Sequence, residues 1–229
     1  MMQAIERERD QMLQHWRKRI ANQPDWIASE WKQVNRVFAA SSGGTIPHKT
    51  LASSLRQFHD KLGFMAKGAA VNGGLCAGAL FRTAAFIAVD ERCGAKGDRK
   101  NVHIEHTFPI NQLERAILQQ HFVTYAHVLA WLLKHSVATA FHQTEERHLL
   151  GRTQSSGALT AASAAYQKPF MRYSCLHDAH GVVWNVFDRE PVDPNTFTFK
   201  DHLDLVCRVL KTVGASSSMV EQIQAAAAS

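Results

Sequence analysis

Apolar residues recur at helical spacing through most of this chain, and only a few short runs depart from that period. A chain patterned this way folds largely as helices that each bury one stripe, which predicts a mostly helical α+β protein. Met12, Leu13, Trp16 and Ile20 form one stripe on a charge-alternating segment over 2–20. Pro24 and Asp25 stand where a second helix would start, Trp26, Ile27, Trp31, Val34 and Phe38 continue it, and Ser41-Ser42-Gly43-Gly44 ends it. Thr50 is expected to cap a third helix through Leu51, Leu55, Phe58 and Leu62. The Trp and Phe residues of these stripes read as core rather than as stacking platforms.

After a glycine-rich stretch over 63–78, Ala79 to Val89 is apolar on nearly all sides and reads as a buried helix. Helical spacing resumes at Leu113, Ile117, Leu118 and Phe122 and runs on to Leu133. Small residues from Ala158 to Lys168 suggest a short helix closed by Pro169. Residues 170–190 read as a β-hairpin turning at His177 to Gly181, and Thr198 is placed to cap a last helix through Leu210. The division this predicts is a helical region over 1–92, acting as scaffold or nucleic-acid-binding surface, a catalytic region over 93–215, and a flexible tail over 216–229.

Apolar residues make up 45% of the chain and charged residues 20%, the balance of a globular protein rather than a disordered one. The net charge of +6 favours a polyanionic partner such as nucleic acid. Cysteines at 76, 93, 175 and 207 never form a Cys-x-x-Cys, which argues against a zinc ribbon and against a disulfide framework. The N-terminus is charged where a signal peptide would be apolar, and the longest apolar stretch is broken by Gly78, Arg82 and Thr83. A cytoplasmic protein that does not enter the membrane is the expectation.

One run stands out from the helical pattern. Val102-His103-Ile104-Glu105-His106-Thr107-Phe108-Pro109 is a short β-branched segment that places a carboxylate directly before a histidine and is closed by proline. Pro109 lacks a backbone donor and fixes its own φ, so it enforces a strand end. Strand neighbours point to opposite faces, so Glu105 and His106 serve one site only at such an end. Hydrolysis of a phosphodiester needs a base for water and a hard cation for the phosphate, and an adjacent Glu-His pair offers both.

The segment resembles the Glu-His-x-x-Pro signature of the His-Me finger (ββα-metal, HNH-type) nucleases. The resemblance implies a ββα-metal finger embedded in a helical domain, with His106 as general base and Glu105 as ligand to one Mg²⁺ or Mn²⁺. It also implies an endonuclease acting on nucleic acid, with DNA the expected substrate and restriction or phage defence a role by analogy, either as a homodimer or within a larger defence complex. The family's further metal ligand is most often Asn or His, and this chain departs from that pattern, with no asparagine between Asn111 and Asn185. Two completions stay open. In one, Leu149 to Gln154 supplies the second strand and turn, Gln154 is the ligand, 158–168 is the finger helix, and Arg152, Lys168 and Arg172 approach the phosphate. In the other, Val182 to Phe187 is the second strand, with Asn185 and His202 as ligands. His103 shares a strand face with Glu105 and is a further phosphate-contacting candidate. The competing reading is a non-catalytic helical nucleic-acid-binding or adaptor protein whose Glu-His pair is degenerate.

Overall fold

In the computed structural model, residues 1–21, 23–43, 48–59, 76–89, 92, 101–145, 158, 160–176 and 183–228 are described. The N-terminal stripes form α1 (Met2–Ala21), α2 (Gln23–Ser41) and α3 (His48–His59). They bury Ile5, Met12, Trp16, Val34, Leu55 and Phe58. Helix α3 starts two residues before Thr50, so that residue lies in the first turn and does not cap it; its carbonyl accepts from Ser54 Oγ at 2.9 Å. The chain leaves α2 through Gly43, whose φ of 81° suits a residue without a Cβ.

The segment read as one buried helix divides instead. Phe81–Thr83 is a strand, β1, and only Ala84–Ala88 is helical, α4. All three strand residues are buried, so no alternation marked them in the sequence. Thr83 ends the strand and caps the helix, its Oγ1 accepting from the Phe86 amide at 3.2 Å. Next come β2 (Val102–His106), α5 (Ile110–Ile117), α6 (Tyr125–His135) and β3 (Ala138–His142). Pro109 stands between β2 and α5 at φ −61°, closing the strand and opening the helix.

Two further expectations give way. Residues 161–167 form turns rather than a helix, with Gln167 at a φ of 62°. Pro169–Leu176 is a 3₁₀ helix kinked at Tyr173, not the first strand of a hairpin. Strands β4 (Val183–Asn185) and β5 (Glu190–Pro191) follow, then α7 (Phe199–Thr212) and α8 (Ser217–Ala228). Thr198 caps α7 as expected, and Asp201 completes a capping box. The residues expected to be a flexible tail carry α8, which packs on α6 and α7 and buries Val220 and Ile223. Its serines at the start and run of alanines at the end hid that helix in the sequence.

The strands form one mixed sheet in the order β2-β3-β1-β4-β5, so the protein is α+β. β2 pairs antiparallel with β3, β3 runs parallel to β1, and β1 is antiparallel to β4. The expected boundary at residue 92 is not a structural one, because β1 from the first region lies at the centre of the sheet. The larger of two apolar clusters runs from Ile5 in α1 through Phe81, Leu113 and Val128 to Ile223 in α8, and Cys76, Ala79, Phe86, Val102 and Ala140 form a smaller one. Burying one phenylalanine of that cluster, such as Phe81, stabilises the fold by about 2–3 kcal/mol. Among the described residues no helix is long and apolar enough to cross a membrane.

Candidate functional site at the end of the edge strand

β2 has no strand beyond it among the described residues. Its pairing register sets the faces: His103 stands opposite Phe141 and Glu105 opposite Thr139, while Ile104 meets Ala140 and His106 meets Ala138. Residues directly opposite in a ladder share a face, so His103, Glu105, Thr139 and Phe141 look to one side and His106 to the other. Both Glu105 and His106 nonetheless flank the end of the ladder, because the chain turns away at Thr107 and Phe108.

The face carrying Glu105 is covered by the 3₁₀ helix. Tyr173 packs edge-on against Phe141 with ring centroids 5.4 Å apart, and Phe170 packs against Phe81 at 4.8 Å. This docking delivers Arg172 to the strand end. Its Nη1 is 2.8 Å from Glu105 Oε1 and donates to the His106 carbonyl at 2.8 Å and the Thr107 carbonyl at 3.4 Å. Thr107 and Thr139 share a hydrogen bond of 2.7 Å between their hydroxyls, which fastens the turn to β3. Burial raises the Tyr173 hydroxyl well above the usual phenol range, keeping it protonated.

His106 is half-buried. That burial, with the charges of Arg56 on α3 and of Arg172, pushes its pKa down to about 4, so the imidazole is neutral at physiological pH. Arg56 is exposed and was not singled out by the sequence, since only the packing of α3 on α5 brings it near the strand end. Nothing in its local pattern could have shown this.

The other predicted residues fall as follows. His103 stacks on Phe141 with centroids 6.1 Å apart and an interplanar angle of 24°. Lys168 is half-buried at the foot of the 3₁₀ helix, its amide donating to the Ala165 carbonyl at 2.8 Å. Arg152 and Gln154 lie outside the described residues. The second completion fails: β4 is separated from β2 by β3 and β1, and Asn185 Nδ2 donates to Asp188 at 2.7 Å. His202 is buried with Nδ1 donating to the Lys134 carbonyl at 3.1 Å, so neither residue joins Glu105. The sequence could not show this, because the register of β4 depends on β1, which read as helix.

For a divalent cation, Glu105 is a suitable hard oxygen donor beside a neutral histidine. Among the described residues no group of three His, Cys, Asp or Glu side chains is gathered to hold a metal. Glu105 is thus a single hard oxygen donor for such an ion, and most of its remaining donors would be water or Gln154, which lies outside the described residues. Comparison with models of known protein families, with curated proteins and with solved structures finds no match.

Proposed function

We propose that the chain is a metal-dependent endonuclease that hydrolyses phosphodiester bonds, with DNA as its expected substrate. The observation that carries this reading is the Glu105–His106 pair at the end of an edge strand, with Arg172 bonded to that same end. In this reading β2 carries the Glu-His pair of the metal finger. Neutral His106 takes the proton from an attacking water. Arg56 and Arg172 supply positive charge that favours an anionic substrate over the strand end. The net charge of +6 draws the polyanion towards the protein.

Glu105, with Gln154 as candidate second ligand, would hold Mg²⁺ or Mn²⁺. When bound, that ion supplies charge stabilisation at the phosphate and the leaving oxygen. Lys168, Arg152 and His103 remain candidates for phosphate contact, and a homodimer would let two such sites cut both strands.

The test is cleavage of supercoiled plasmid in Mg²⁺, Mn²⁺ or EDTA beside His106→Ala. We expect metal-dependent nicking by the wild type and a loss of at least a hundredfold in the variant, the usual contribution of a general base. Thermal stability of the variant should stay close to wild type. Plasmid binding without cleavage in any metal would favour the adaptor reading instead.

A further inference from the structure

Arg172 and Arg82 both pair with a carboxylate, yet they are held very differently. Arg82 has each of its guanidinium nitrogens engaged: Nε on the Ala79 carbonyl at 3.2 Å, Nη2 on the Ala77 carbonyl at 2.8 Å, and Nη1 on Glu8. At Arg172, among the described residues, the hydrogen bonds and the ion pair all fall on Nη1, the guanidinium lies over the Tyr173 ring at 5.7 Å, and its buried Nε has no hydrogen-bond partner. A buried donor left without an acceptor costs free energy, so this guanidinium is not at rest where it stands. It also adjoins the kink at Tyr173, where φ −102° and ψ 35° interrupt the 3₁₀ helix.

Glu105 is the only carboxylate that Arg172 pairs with among the described residues, and its side chain is 18% exposed against 12% for the arginine. The pair is shielded but reachable. A guanidinium and a divalent cation on one carboxylate repel each other, so occupancy by one weakens the other. We propose that Arg172 is a resident counter-cation on Glu105 that must leave before a divalent ion can be held there, so that loading of the site is gated by this arginine. This rests on the nuclease reading for its purpose, though not for its geometry. Once off Glu105, Arg172 has its donors available for a phosphate oxygen, which would satisfy the orphaned Nε as well.

The test is Mn²⁺ titration of the full chain, followed by the electron paramagnetic resonance of unbound Mn²⁺, for wild type, Arg172→Gln, Glu105→Gln and the double variant. We expect Arg172→Gln to bind Mn²⁺ about tenfold more tightly than wild type, the size of a typical coupling between two sites. Glu105→Gln should abolish the gain in either background. Unchanged or weaker binding in a folded Arg172→Gln variant overturns the proposal, and so does the absence of Mn²⁺ binding by every variant. Because Arg172 also ties down the strand end, a second measurement avoids substitution of the arginine. Mg²⁺ should shift the Arg172 Nε–H resonance in wild type and not in Glu105→Gln, and an Nε–H unmoved by saturating Mg²⁺ overturns the proposal. The plasmid assay separates the two ideas. Cleavage lost in His106→Ala with Mn²⁺ affinity unchanged in Arg172→Gln sinks the gate alone. Tighter Mn²⁺ binding without His106-dependent cleavage sinks the nuclease and leaves the competition standing.

Discussion

Two carboxylate–arginine arrangements lie on opposite faces of the same sheet. Strand alternation places Arg82 on the face of Ala140 and Ile104, and Glu105 on the face of Thr139 and Phe81. On the first face Glu8 from α1 takes both Arg82 and Arg92, the latter at 2.7 Å, and all three are buried. Phe86 lies beneath the Arg92 guanidinium, 4.1 Å from its carbon to the ring centroid. On the second face Arg172 meets Glu105 nearer solvent. The first arrangement joins α1 to β1 and the chain after α4, and the second joins the 3₁₀ helix to the end of β2. Burial and donor count decide what each can do: the first is locked, the second exchangeable.

The largest effect should come from breaking the locked cluster. Burial opposes charge on Glu8, but Arg82 and Arg92 outweigh it and hold the carboxyl below its usual range. Glu8→Ala would leave two guanidinium groups buried together without their counter-charge, and should cost about 3–5 kcal/mol in urea unfolding. A loss under 1 kcal/mol would mean that the cluster relaxes to solvent and that the contrast with Glu105 is false.

Acid comes next. His15 lies near the locked cluster, and its Nε2 is buried without a hydrogen-bond partner among the described residues. Burial, with the charges of Arg19, Arg82 and Lys18, lowers its pKa to about 4. A histidine whose folded pKa lies below its unfolded value of about 6.5 contributes fully above that value and loses its contribution as pH falls towards 4. His15→Gln should therefore flatten the stability profile between those limits by about 2 kcal/mol, measured by urea unfolding at each pH. A profile parallel to wild type would show that His15 takes up its proton in the folded state as readily as in the unfolded chain.

The same contrast explains what the sequence disclosed. Local signals were legible: the stripes of α1 and α2, the strand closed before Pro109, and the cap at Thr198 all rest on a few neighbouring residues. Glu105 and His106 were legible for the same reason. What escaped notice depends on distant partners. Phe81–Thr83 read as helix because a central strand buried on both sides shows no period of two. Phe170 to Tyr173 read as strand because its apolar content is set by contact with Phe81 and Phe141, not by alternation. Arg172 was expected to face substrate. Its pairing with Glu105 needed the 3₁₀ helix to dock on β2, a contact between positions 67 residues apart whose salt bridge no local pattern announces.

The smallest effect on stability, and the sharpest test of the contrast, is Glu105→Gln. Its carboxylate meets Arg172 at 2.8 Å close to solvent, and Arg172 keeps its bonds to the His106 and Thr107 carbonyls when the charge is gone. An amide oxygen can still accept from Nη1, so the loss should be no more than about 1 kcal/mol, as for ion pairs near the surface. Glu8→Gln keeps the same isosteric shape but leaves two buried guanidinium groups without compensation, so it should cost several times more. Measuring both by urea unfolding at neutral pH holds the chemistry of the substitution constant and varies only the surroundings. Equal losses would mean that the Glu105 pair is as much a structural clamp as the buried cluster, and an arginine clamped there could not make way for a cation.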